Sequence, residues 1–174
     1  MKNRKRSFHP DELLIKFGKQ IKYSNLKEFL QKHEVDGIIR IREEDFVFLE
    51  TNLEFLTHFN LQSTGHKKGK IYALSLIVKQ GFFDGKKEVS PILSFEKYFI
   101  AECLEVKNKF KYEDLKQEDF EYCFPNIQNV AQLKKVIVKR YSESMPNLSQ
   151  QKILSMGIAI TKLKIIKKIK LQNS

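Results

Sequence analysis

The stretch VDGIIRIREEDFVFLETNL, residues 35–53, decides how the chain is drawn. Val35 to Arg42 is rich in β-branched residues, and Phe46 to Leu53 again alternates apolar and polar positions around Glu43-Glu44-Asp45. Such a pattern predicts two strands joined by a three-residue polar turn. With those three residues in the loop, Ile41 faces Val47, Ile39 faces Leu49, Gly37 faces Thr51 and Val35 faces Leu53. That register places the apolar side chains on one face and Asp36, Arg40, Glu50 and Asn52 on the other.

Working outward toward the N-terminus, Leu13, Leu14, Phe17 and Ile21, then Leu26, Phe29 and Leu30, recur at helical spacing, which predicts two short helices or one broken near residues 18–24. Ser24 or Asn25 is placed to cap the second. Toward the C-terminus, residues 54–70 read as a polar connector. Ile71 to Val78 is apolar on both faces, as a central strand buried on two sides would be. Asp84-Gly85 signals a tight turn that would continue a hairpin through Phe82-Phe83 and Val89, with Pro91 limiting its length. Phe95 to Val106 fits a helix and a strand about equally. Tyr112 to Phe124 is acidic and reads as a short helix ending before Pro125.

A stronger helix follows, with Val130, Leu133, Ile137 and Tyr141 inward and Lys134, Lys135, Lys139 and Arg140 at polar positions. Asn147 and Gln150 resemble a capping box for a helix over 148–156 that Gly157 would stop. From Lys162 to Leu171 eight of ten positions obey period two, Ile166 and Lys167 being the breaks, which predicts a terminal strand. A continuous helix over 148–171 is the competing reading. The fold expected is α+β: a mostly antiparallel sheet or small barrel, an oligonucleotide-binding barrel being one such arrangement, flanked by N- and C-terminal helices. Residues 1–10 read as a flexible basic arm and 11–174 as one domain.

The chain has 174 residues and a formal net charge of +11, which favours polyanionic partners. The charge is unevenly spread. Residues 1–10 contribute Lys2, Arg4, Lys5 and Arg6 without an acid, and residues 126–174 contribute ten Lys and Arg against the single Glu143. Residues 11–125 therefore carry a net −2. In the predicted terminal strand Lys162, Lys164, Lys168 and Lys170 share one face, where lysines two apart are separated by roughly 6.7 Å and can track a phosphate backbone without reading bases. With Lys134, Lys135, Lys139, Arg140 and the basic head, they form the candidate nucleic-acid contact. A lysine-bearing edge that discourages aggregation accounts for the same residues. Tyr72, Phe82, Phe83, Tyr98 and Phe99 are candidates for base stacking or for the core.

Asp36 near the start of one predicted strand and Glu50 near the end of the next resemble the metal-binding hairpin of the PD-(D/E)XK nuclease superfamily. The resemblance implies a divalent ion held by Asp36 and Glu50 that activates water, although the family's lysine is Asn52 here. A cross-strand ion pair of Glu50 with Arg40 is the structural alternative. Glu105-Val106-Lys107 supplies a second, weaker Glu-x-Lys. Cys103 and Cys123 form no disulfide framework or metal pair, which suits a reducing intracellular compartment, the cytoplasm or nucleus. The four histidines lack metal-ligand spacing, nucleotide-loop and nucleophile motifs are missing, and no run is long enough for a membrane span. No cofactor is expected. These features predict a non-enzymatic subunit of a nucleoprotein complex that contacts RNA or DNA backbone and other protein subunits. The alternatives are a metal-dependent nuclease or its inactive relative, and a protein-interaction accessory factor.

Overall fold

A computed structural model of the chain describes residues 5–6, 12–51, 54–83 and 87–170. Gly37–Ile41 is a strand, β4, as expected, but Glu43–Thr51 is a helix, α2. The helix begins directly after the strand, with the Phe46 N–H donating to the Arg42 carbonyl at 3.0 Å. Two properties of the sequence favour it. Glu43, Glu44 and Asp45 fill its first turn, where carboxylates complement the positive end of the helix dipole. Phe46 and Leu49 are three apart, so both bury on one face. The predicted hairpin is thereby replaced. β4 pairs in parallel with Ile71–Lys79, β6, through Ile39 opposite Leu74 and Ile41 opposite Leu76.

Before β4, Lys5–Arg6 forms a two-residue strand, β1, so this part of the head is held by backbone pairing. Glu12–Phe17 and Gln20–Asn25 form a second pair, β2 and β3, where a helix was expected. Gly18 turns the chain between them at φ +60°, a conformation glycine adopts without strain. The second expected helix is present as α1, Leu26–Lys32, and Asn25 caps it by accepting from the Glu28 N–H at 3.2 Å.

The expected connector over 54–70 contains a strand, β5, at Phe55–Leu61. Phe82–Phe83 (β7) and Lys87–Val89 (β8) pair antiparallel, and β1 joins β8 in parallel. The Asp84-Gly85 turn lies outside the described residues. Ile92–Phe110 is one long strand, β9, which resolves the ambiguous segment in favour of β structure. The acidic segment forms two 3-10 turns, Tyr112–Asp114 and Gln117–Phe120, in place of a helix. Val130–Ser144 (α3) and Gln150–Ser155 (α4) follow, with Leu133, Ile137 and Ile153 buried. Ser149, one residue before α4, caps it in place of Asn147. Ile158–Lys170 is the terminal strand, β10, which begins four residues earlier than the lysine alternation suggested.

The result is a mixed α+β fold with an open, mostly antiparallel sheet of seven strands. β9 lies at its centre: β6 and then β4 extend from one side, and β10 with β5, together with β2 and β3, from the other. No closed barrel forms, because β4 and β5 do not pair with each other. One core lies between the sheet and α2, around Phe46, Leu49, Leu74 and Phe99. A second contains Phe29 of α1 with Tyr98 and Ile100 of β9, and a third packs α3 and α4 against Phe59, Ile158 and Ile160.

Candidate functional site

The terminal strand carries the lysines, but not on one face. β10 holds an extra residue between Ile165 and Lys167, so that Ile165 pairs with Ala101 and Lys167 with the adjacent Ile100. A bulge of this kind reverses the alternation beyond it. Lys162 pairs with Glu105 and Thr57, on the face that bears Ile158 and Ile160. Lys168 pairs with Phe99, on the opposite face, and its Nζ stands 5.8 Å from the Phe99 ring centroid. The ladder of four is therefore two pairs on opposite faces, Lys162 with Lys164 and Lys168 with Lys170.

One lysine of each pair is already engaged. Lys162 Nζ lies 3.4 Å from Asp119 Oδ1 and 3.7 Å from Glu105 Oε2. Lys168 Nζ lies 3.6 Å from Glu50 Oε2. Burial alone would raise the Asp119 carboxyl, but the Lys116 backbone N–H, then Lys107 and Lys162, outweigh it and hold the group below its ordinary range. The same network absorbs Glu105 and Lys107, the second Glu-x-Lys, into a structural cluster. Lys164 and Lys170 are exposed and form no ion pair with a described residue, and the same holds for Lys135 and Lys139 on α3. Lys134 leans over the Tyr112 ring at 5.3 Å. Arg140, expected at a polar position, is buried. Lys2 and Arg4 lie outside the described residues, and of Lys5 and Arg6 only the backbone is described.

Asp36 and Glu50 do not converge. Asp36 Oδ2 accepts the Ile71 N–H at 2.8 Å, at the level of Glu102 on β9. Glu50, on α2, meets Lys97 and Lys168 at 3.6 Å each. Five residues of β9 separate these levels, roughly 16 Å at 3.3 Å per residue. The helix in place of the second strand removes the geometry on which the nuclease resemblance stood. Tyr72, Tyr98 and Phe99 are buried, so they are core residues with no face for a base to stack on. Cys103 and Cys123 are buried free thiols, and burial pushes the Cys123 thiol up to about 12.

What the fold does gather is a set of polar groups invisible as a motif. Strands β4 and β5, which do not pair with each other, line one cleft together with the C-terminal half of α3. Its volume is about 290 Å³, and Arg40, Arg42 and Arg140 all border it. Arg42 Nη1 donates to Gln80 Oε1 at 3.0 Å. Burial, and after it the neighbouring Arg140, push the Arg42 guanidinium below its ordinary pKa. Behind the cleft wall Asp45 Oδ2 lies 3.4 Å from His58 Nδ1 and 3.9 Å from Arg140 Nη2. None of these three atoms makes a hydrogen bond, and neither does Asn60 Oδ1 on the same strand as His58. No family model, curated protein or solved structure matches the chain.

Three elements build this cluster. α2 supplies Asp45 from its first turn, β5 supplies His58 opposite Thr161 of β10, and α3 supplies Arg140 with its guanidinium 5.4 Å from the Phe124 ring centroid. The Tyr141 hydroxyl anchors α3 to the strand by accepting the Leu61 N–H at 2.9 Å. Sequence reasoning missed the cluster because its members are far apart in the chain. The one local trace is His58 within the otherwise apolar FLTHFNL. Among the described residues no helix is long and apolar enough to cross a membrane.

Proposed function

We propose that the chain is a non-enzymatic, nucleic-acid-associated subunit of a larger nucleoprotein complex, contacting phosphates without reading sequence. The observation that carries this reading is the acid-poor stretch after residue 126, where Lys135, Lys139, Lys164 and Lys170 stand exposed and free of ion pairs with described residues. Flexible lysines of this kind neutralise phosphates and release counterions, which gives affinity without base selectivity. Protein contacts fall to the nearly neutral body. Lys162 and Lys168 are bound to acids, so they contribute to folding before they contribute to binding.

The test is a salt titration of binding to single-stranded RNA and DNA. Changing Lys135, Lys139, Lys164 and Lys170 together to Gln should weaken binding and reduce the slope of log K against log salt by about 3. An unchanged slope, or no binding even at about 50 mM salt, overturns the reading.

A further inference from the structure

We propose that the β2–β3 hairpin is a stacking platform for an unpaired nucleic-acid strand, with the Tyr23 ring under a base and Lys16 and Lys19 on the phosphates beside it. The proposal rests on the nucleic-acid reading above for the class of ligand and adds to it a contact with the bases. β3 is an edge of the sheet and pairs with β2 alone among the described strands. Tyr23 is 66% exposed, more than any other large hydrophobic side chain among the described residues, and Ile21, two residues earlier on the same face, is 53% exposed. Leu14 stands opposite Tyr23 and Lys16 opposite Ile21, so the four residues share one face of the hairpin. An aromatic ring held on a sheet face among apolar and cationic neighbours is the device by which single-strand binders stack bases without selecting them.

The charge around the ring suits the same ligand. Lys16, Lys19 at the hairpin tip beside Gly18, and Lys22 on the edge form no ion pair with a described residue. Of the neighbouring acids, Glu96 Oε1 accepts the Gly18 N–H at 2.6 Å, which fastens the tip to β9. Glu12 and Glu28 lie toward the other end of the hairpin, where β3 runs into α1, and Asp11 is outside the described residues. The net −2 of residues 11–125 conceals this basic tip. A second copy of the chain fits the edge less well. The antiparallel register that sets Ile21 of one β3 against Tyr23 of another also sets Lys22 against Lys22, and like charges directly opposed are destabilising. Lysines on an open edge discourage such pairing in general.

The experiment measures binding of a short oligothymidylate and of a blunt DNA duplex to the full chain at about 150 mM salt. Tyrosine fluorescence reports on the same samples, since the chain has no Trp and Tyr72, Tyr98 and Tyr112 are buried out of reach of a base. The single strand, whose base faces are open, should bind about tenfold more tightly than the duplex and should quench the emission. Tyr23→Leu should remove both the preference and the quenching without changing duplex affinity. Tyr23→Phe should keep the preference and lose the quenching. Lys16→Gln with Lys19→Gln should reduce the salt slope for the single strand by about 1.4. Oligothymidylate affinity that is unchanged in Tyr23→Leu, but falls when Lys135, Lys139, Lys164 and Lys170 are changed to Gln, overturns the platform and leaves the nucleic-acid reading standing. A preference lost in Tyr23→Leu, while that fourfold variant keeps the wild-type salt slope, upholds the platform and overturns the C-terminal contact. No binding of either probe at about 50 mM salt overturns both. Self-association that disappears in Tyr23→Leu, with oligothymidylate affinity unchanged, overturns the platform and assigns the edge to a second copy.

Discussion

Asp45 of α2 and Arg140 of α3 are both buried, and Asp45 Oδ2 stands 3.9 Å from Arg140 Nη2 with His58 beside them. Arg140 has no other ion-pair partner among the described residues. A buried charge left alone is much more costly than the pair is favourable. Asp45→Asn should therefore lower stability by about 3 kcal/mol, read from the urea midpoint. Adding Arg140→Met should recover a large part of that loss, because no unpaired charge then remains. Additive losses in the double variant would show that the two groups are not coupled.

The division of labour along β10 gives a second expectation. Lys162 holds the buried Asp119 together with Lys107, whereas Lys164 is exposed and has no ion-pair partner among the described residues. Lys162→Gln should cost about 1–2 kcal/mol of stability and leave the salt dependence of nucleic-acid binding nearly unchanged. Lys164→Gln should do the reverse, reducing the salt slope by about 0.7 with a stability change inside 0.5 kcal/mol. Thermal unfolding and a salt titration on the same two proteins decide it.

Ile166 is the extra residue of the β10 bulge and is 53% exposed. Its deletion leaves Ile165 opposite Ala101 and Lys167 opposite Ile100, so no downstream side chain changes face. The deletion should cost less than about 1 kcal/mol. Deleting Leu163, which is buried in the α2-side core, would instead turn the following lysines inward and should prevent folding. Circular dichroism melts of the two deletions compare these outcomes directly.

Val130, Leu133, Ile137 and Tyr141 were legible as a helix face because their spacing excludes a strand. Ile71 to Val78 has no period, being apolar on both faces, and its short length is what marks it as a buried strand. The hairpin over 35–53 was misread because Phe46-Val47-Phe48-Leu49 satisfies both periods, and Glu43-Glu44-Asp45 serves equally as a turn or as the acidic first turn of a helix. Leu13 to Ile21 failed in the opposite sense, since two six-residue strands around Gly18 imitate helical spacing. On β10 the two positions that broke the alternation, Ile166 and Lys167, marked the bulge. Counting could locate the break but not show that it moves Lys168 to the other face. The basic composition was legible, yet the cleft was not, because Arg42, His58 and Arg140 are far apart in the chain and meet only where the end of β4, β5 and α3 come together.

The last expectation concerns pH. His66 donates to or accepts from Thr161 Oγ1 at 3.0 Å through Nδ1, and its ring lies 5.4 Å from that of Tyr72. Burial, and then the nearby His58, lower its pKa to about 4. An unfolded histidine titrates near 6.5, so between these values the unfolded chain binds the proton more readily. The contribution of neutral His66 is complete above about pH 6.5 and is lost as the pH falls toward 4, to the extent of about 2 kcal/mol. His66→Gln, able to keep a hydrogen bond with Thr161, should be less stable than the parent at pH 7 or equal to it, but should lose less on acidification to pH near 4.5. Urea midpoints of the two proteins at both pH values measure the difference. Parallel acid losses would place the sensitive group elsewhere, with Asp119 excluded over most of that window because its carboxyl is held below the ordinary range.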